Sequence, residues 1–187
     1  MGKNTKANEK RKDNKNVGRY SEQQTLIGNQ GWLFYDAPYK AARHIAKRMW
    51  GDKCIDLGGG TGIMASIISS VTDKNIRVYE GDLTKVDAKD GTYDTVYSSH
   101  VLEHVADPLA VVNESIRISK KRIIHVVPQG YTEDINLGTE HKYMFNRGNF
   151  MSLMYEAIKD KPNVQVVEFD VITDYHVNSL ICVLLKD

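Results

Sequence analysis

Cysteine and proline are scarce in this chain of 187 residues, which has two Cys and four Pro. So few cysteines exclude a disulfide-framed secreted scaffold. Cys54 and Cys182 each lie in an apolar run that reads as a strand, so both are expected to be reduced core thiols. No Cys/His spacing suggests a structural zinc site, and no metal is expected. No apolar run approaches the roughly 20 residues a membrane helix needs. The first residues are charged and show no apolar h-region, so no secretory leader is expected. Met1-Gly2 is not read as a myristoylation signal, because Lys6 stands where Ser or Thr is required. A cytoplasmic location is the expectation that follows.

Net charge is also nearly absent, at +1 from 25 basic and 24 acidic residues, but it is unevenly placed. Residues 1–19 hold seven basic residues (Lys3, Lys6, Lys10, Arg11, Lys12, Lys15, Arg19) against Glu9 and Asp13, leaving the remainder near −4. With almost no apolar side chains to bury, this stretch is expected to be a flexible basic tail. The same composition would suit an electrostatic arm for nucleic acid. The remaining length and the 41% hydrophobic content suit one globular domain over residues 20–187.

Within that domain, helical and extended patterns alternate. Asp36 and Pro38 open a helix through about Trp50, with Gly51 at its end. Lys53 to Leu57 reads as a buried strand, Thr61 to about Val71 as a helix, and Ile76 to Glu80 and Tyr93 to Tyr97 as strands. Asp107-Pro108 is an N-cap and first-turn pair opening another helix. Arg122 to Val127 is a strand stopped by Pro128, and a helix carrying Phe150, Leu153, Met154 and Ile158 follows. Val164 to Val171 and Ser179 to Leu185 have no clear helix between them, so an antiparallel hairpin is expected at one sheet edge. The fold class is therefore α/β: a Rossmann-like, doubly wound, mostly parallel sheet with helices on both faces. Residues 20–50 form a helical cap, 51–127 a ligand-binding core, and 128–187 a loop, the last helix and the final strands.

The stretch "CIDLGGGTGIMA", Cys54 to Ala65, places Gly58, Gly59, Gly60 and Gly62 between a strand and a helix. Glycines at such a turn let a ligand approach the backbone, and the helix start offers unpaired N–H groups. Gly60-x-Gly62-x-x-Ala65 fits a relaxed dinucleotide fingerprint, and Glu80 ends the next strand where an acid would bind ribose hydroxyls. Spacing alone thus leaves a nicotinamide dinucleotide possible. Asp56 argues the other way: a carboxylate just ahead of the turn repels a pyrophosphate and tolerates a cationic sulfonium ligand.

A second stretch, "YDTVYSSHVLEHVADP" (Tyr93 to Pro108), resembles the fourth-strand region of class I S-adenosylmethionine-dependent methyltransferases. With "CIDLGGGTGI" the resemblance covers roughly Lys53 to Pro128. It extends more weakly over "EHKYMFNRGNF", Glu140 to Phe150, and is nearest to the compact methyltransferase-11 type. It implies S-adenosyl-L-methionine as cofactor, with Asp56, Gly58, Gly59, Gly60 and Gly62 around the methionine and ribose. Glu80 would take the ribose diol, Asp82 or Leu83 would meet the adenine, and Ser98 and Ser99 would line the methionine side. The chain departs from the family where a helix and a Gly-Asp strand usually follow the second strand. Here they are merged into "VYEGDLTKVDAKDGTYD", so Glu80 and Asp82 compete for the ribose role.

The acceptor is narrowed by further absences. No Asn/Asp-Pro-Pro-aromatic motif follows the fourth strand, no Pro-Cys nucleophile exists, and no paired carboxylates suggest a metal-dependent catechol enzyme. The resemblance therefore implies methyl transfer to an O or N atom of a small organic acceptor. A nucleic-acid methyltransferase using the basic tail and an NAD-dependent oxidoreductase are the rivals, and the oligomeric state is left open. Positioning supplies much of the rate in such a transfer, and a base is needed only if the acceptor must lose a proton. His141 and His100 are the candidate bases, whereas His104 and His125 are expected to be structural.

Overall fold

The computed structural model describes residues 36–130, 141–173 and 178–187. In chain order they form α1 (Asp36–Ala46), β1 (Lys53–Leu57), α2 (Ile63–Thr72), β2 (Asn75–Tyr79), β3 (Tyr93–Ser99), α3 (Pro108–Ile118), β4 (Ser119–Pro128), α4 (Arg147–Ile158), β5 (Val164–Ile172) and β6 (Ser179–Lys186). The six strands make one sheet in the order β2-β1-β3-β4-β6-β5. Strands β1 to β4 run parallel, and β6 is antiparallel to both β4 and β5. The α/β expectation holds, including the antiparallel final pair; β6 inserts beside β4 and leaves β5 at the edge.

Alternation along the central strands dictates the layering. Ile123 and Val127 of β4, with Leu180, Cys182 and Leu184 of β6, pack with Val112 and Ile116 of α3 and Phe150 and Met154 of α4. Ile124 and Val126, with Ile181 and Val183, face the other way and pack with Ala42 and Ile45 of α1 and Ile68 of α2. Both faces are buried, so these strands read as nearly continuous apolar runs. Cys54 and Cys182 are buried free thiols, as expected of core residues.

Several boundaries differ from the sequence reading. Helix α1 stops at Ala46, not Trp50. Arg48 N–H donates to the Ile45 carbonyl at 2.9 Å, which tightens the last turn. Trp50 and Thr95 then bond reciprocally, Trp50 N–H to Thr95 Oγ1 at 2.9 Å and Thr95 Oγ1 to the Trp50 carbonyl at 2.6 Å, drawing the chain onto β3. Strand β4 begins at Ser119 and includes Pro128, which pairs with Ser179 as its last residue. Residues 100–106 form turns. His100 itself has φ of 55°, which interrupts any helix there.

Residues 80–92 hold neither helix nor strand, which leaves β2 at the sheet edge. Two side chains of α3 replace the missing elements. Arg117 donates to the carbonyls of Ala88 (2.8 Å) and Val86 (3.1 Å) and to Asp90 Oδ1 (2.7 Å). Glu114 Oε1 accepts the Val86 N–H at 2.6 Å, and its two oxygens take Arg117 Nε and Nη2, each at 2.7 Å. The basic segment 1–19 and residues 20–35 of the cap lie outside the described residues.

Candidate active site

The strand order reverses between β1 and β3, so the crevice at their C-terminal ends is where a ligand binds in this kind of sheet. The β1–α2 turn occupies that position. Gly58, Gly60 and Gly62 have φ of 72°, 55° and 79°, a region in which residues with a Cβ are strained. Gly58 N–H donates to the Tyr79 carbonyl at 2.8 Å, which ties the turn to the end of β2. Gly58 also faces Val101, which a Cβ would meet at 2.9 Å, and the Leu83 methyl at 3.4 Å. The wall opposite the turn is therefore made by the 80–92 segment and by the turn after β3.

Glu80 stands just past β2 and is exposed, and its Oε1 accepts the Gly60 N–H. Asp82 is exposed and occupied locally: its Oδ1 accepts Thr84 N–H at 2.9 Å and Thr84 Oγ1 at 2.7 Å. Those bonds hold its carboxyl below the ordinary aspartate value. Of the two competitors, only Glu80 touches the glycine turn among the described contacts. Leu83 is partly buried against two core clusters and floors the crevice beside Gly58.

Asp56 is 1% exposed and lies under the turn, where a Cβ at Gly59 would meet its Oδ2 at 2.5 Å. It does not stand at the mouth of the crevice, as its place in the sequence suggested. Burial raises its pKa to about 7, opposed by the nearby Tyr97 hydroxyl. Neither Asp56 Oδ2 nor the Tyr97 hydroxyl has a partner in hydrogen-bonding geometry. Ser98 is fully buried with its Oγ 2.8 Å from His125 Nδ1, so its side chain does not line the crevice. His125 is a core residue, and burial lowers its pKa to about 4. Ser99 Oγ is buried and unpartnered at the end of β3.

Across from the glycine turn's β2 side, the turn after β3 is stapled to the segment before α4. The Glu103 carbonyl accepts Lys142 N–H at 2.7 Å and Tyr143 N–H at 3.1 Å, and the Tyr143 hydroxyl donates to the Ala106 carbonyl at 2.9 Å. His100 N–H donates to the Val126 carbonyl at 2.9 Å, and its Nε2 is 3.1 Å from Ser179 Oγ. The His100 side chain is 42% exposed. Desolvation and the neighbouring His104 and His141 hold His100 below the ordinary imidazole value. Desolvation acts in the same direction on His141, whose ring meets His104 edge-on at 4.7 Å. Glu103, to which sequence reasoning gave no role, is 1% exposed, and burial raises its pKa to about 8. Its signal in the sequence was the spacing from His100 and the adjacent His104, which only the fold brings together with His141.

A separate concavity lined by Lys53, Asn75, Arg77 and Tyr93 lies at the N-terminal ends of β1, β2 and β3. It is at the opposite end of the sheet from the glycine turn.

A doubly wound sheet with a glycine turn at its switch point has the architecture of a nucleotide- or donor-binding domain. The cradle fits S-adenosylmethionine: its positive-φ glycines keep side chains off the approach, and Ser99 Oγ is left without a partner beside it. Residues 30–158 match the methyltransferase domain family, and the chain belongs to that family. It is an S-adenosylmethionine-dependent methyltransferase, and the oxidoreductase alternative is set aside. No curated protein matches the chain. Several solved structures share its fold. One chain of the Haloferax volcanii complex between the Trm112 methyltransferase activator and a methyltransferase superimposes with a TM-score of 0.65 at 16% identity, covering 91% of this chain and 97% of that one. Magnesium protoporphyrin IX methyltransferase from Synechocystis PCC 6803, solved with SAH, gives 0.62 at 12% identity, covering 91% and 95%. The 1,6-didemethyltoxoflavin-N1-methyltransferase of Burkholderia thailandensis, with its acceptor and S-adenosylhomocysteine bound, gives 0.61 at 12% identity, covering 91% and 84%.

Proposed function

We propose that the chain methylates an O or N atom of a small organic acceptor. The observation that carries the donor half is the Glu80 carboxylate on the Gly60 amide at the glycine turn. The acceptor half is supported by two fold relatives whose acceptors are small molecules, a magnesium protoporphyrin and a didemethyltoxoflavin.

Bound S-adenosylmethionine supplies a methyl group on a sulfonium leaving group, ready for in-line displacement. The chain's own residues hold and orient. Glu80 would accept from the ribose hydroxyls, with charge-assisted bonds that are roughly twice as strong as neutral ones. The Gly58–Gly62 backbone would approach the methionine end, Leu83 would pack on the adenine, and Ser99 Oγ would donate toward the donor's carboxylate. An acceptor hydroxyl must lose its proton, and His100 and His141 are the candidate bases for it. An acceptor amine that is already neutral needs no base.

The test is donor binding followed by an acceptor screen. Titration calorimetry should show S-adenosylmethionine or S-adenosylhomocysteine binding and no binding of NAD. A labelled methyl group should then pass to members of a small-molecule panel and not to RNA or DNA. Transfer to nucleic acid that weakens when residues 1–19 are removed would overturn the small-acceptor reading and give the basic segment its role. Among the described residues, no helix is long and apolar enough to cross a membrane.

A further inference from the structure

We propose that Glu103, His104 and His141 form a binding site for one divalent transition-metal ion on the acceptor side of the donor crevice. One ligand atom from each of the three lies within 4.8 Å of the other two. Glu103 Oε1 is central, 3.7 Å from His104 Nε2 and 3.8 Å from His100 Nδ1. His100 is thus placed as a fourth ligand or as a neighbour that orients the carboxylate.

The second observation is the state of Glu103. Its side chain is 1% exposed, and neither carboxylate oxygen has a hydrogen-bond partner. A buried carboxylate without hydrogen-bond partners is costly, by several kcal/mol in an apolar setting. Such a group in a folded protein calls for an explanation, and an unplaced cation is one. The imidazoles around it are suited to supply the other ligands. They choose the ion: two His and one carboxylate favour zinc, iron, cobalt or nickel over magnesium and calcium, which prefer all-oxygen sites. Metal–ligand bonds of about 2.0–2.2 Å require only small inward shifts from the present separations.

The fold holds these residues in place independently of any ion. Glu103 and His104 sit in a turn fixed by the His104 N–H bond to the Val101 carbonyl at 3.0 Å. The paired Lys142 and Tyr143 amides on the Glu103 carbonyl deliver His141 to the same place. His141 is exposed and the His104 side chain is 24% exposed, so an ion can reach the site. Val101, in the same turn, contacts Gly58, so the cluster adjoins the donor cradle.

Three protein ligands leave coordination positions open, as in catalytic metal sites. An acceptor heteroatom in an open position would be polarised and oriented. That role rests on the methyltransferase reading, whereas ion binding does not. It also gives His141 the part of a ligand rather than of a base.

The full chain, stripped with a chelator and dialysed, is titrated with zinc by calorimetry and with cobalt by visible absorption. One ion per chain is expected, with the ligand-field bands of a nitrogen- and oxygen-bound cobalt ion. His141→Ala changes an exposed side chain and should keep the wild-type melting temperature, while weakening zinc binding at least about tenfold. Glu103→Gln should do the same without a change of shape, and His44→Ala, outside the cluster, should leave the affinity unchanged. No stoichiometric ion, or an affinity unmoved by both His141→Ala and Glu103→Gln, would overturn the site. S-adenosylmethionine binding is measured on the same preparations. Its loss alone would count against the methyltransferase reading, and its retention with no metal bound would count against this site alone.

Discussion

The Glu80 carboxylate accepts the backbone N–H of Gly60, twenty residues earlier in the chain. This bond joins the end of β2 to the β1–α2 turn and holds a charged acceptor beside the cradle. Asp82, two residues on, is turned into its own Thr84 turn. Glu80→Ala should therefore weaken S-adenosylmethionine binding at least tenfold, since each lost charge-assisted bond is worth roughly 1.5–3 kcal/mol. Asp82→Ala should weaken it less. Calorimetry on the two variants decides the ranking, and the reverse order would move the ribose contact to Asp82.

Gly60 carries a separate prediction. At φ of 55° a β-branched residue is strained, and its side chain would stand where the donor approaches. Gly60→Val should remove measurable donor binding from a protein that still melts cooperatively. Wild-type affinity in a folded variant would exclude this turn as the donor site.

Gly59 answers to a different constraint, because its φ is not positive and its close neighbour is Asp56. An alanine Cβ there would lie 2.5 Å from Asp56 Oδ2, and Asp56, at 1% exposure, has little room to move. Gly59→Ala should destabilise by about 1–3 kcal/mol, the usual range for overpacking. Adding Asp56→Ala should recover much of that loss relative to Asp56→Ala alone. Denaturant melts of the four proteins in a double-mutant cycle measure the coupling, and additive effects would mean that the two groups do not collide.

The order of strands and helices was legible because the pattern that signals each element is local. Asp107 and Pro108 announce α3, and Asp107 Oδ1 does accept the Ala110 N–H at 2.9 Å. The runs at Ile123–Val127 and Leu180–Leu184 show sheet burial on two faces without any partner being known. The glycine turn and Glu80 were readable for the same reason, since strand ends set their positions. What escaped was set by contacts between distant residues. The early end of α1 depends on Thr95, which lies 45 residues beyond Trp50. The burial of Asp56, the bond that turns Ser98 toward His125 and the meeting of Glu103 with His141 all depend on neighbours that sequence spacing does not supply.

The segment that replaces a helix and a strand gives a prediction in pH. Glu114 is 8% exposed, and the hydrogen bonds from Arg117 hold its carboxyl below the ordinary value of 4.5. A depressed folded-state value means that the unfolded chain takes up the proton first as pH falls. The stabilisation from Glu114 is thus complete well above 4.5 and is lost as pH drops through the folded-state value. Wild type should melt above Glu114→Gln at pH 7, with a gap that stays constant down to about pH 5.5 and closes below the ordinary glutamate range. Arg117→Ala should be the more damaging change, at about 2–3 kcal/mol, because it strands a nearly buried carboxylate and frees the Val86 and Ala88 carbonyls. It should also weaken donor binding, since Leu83 beside Gly58 belongs to the segment that Arg117 secures. Melting curves of the three proteins from pH 3 to pH 8 provide the check. A gap between wild type and Glu114→Gln that persists unchanged at the acid end would show that the Glu114–Arg117 pair does not set the stability of the 80–92 segment.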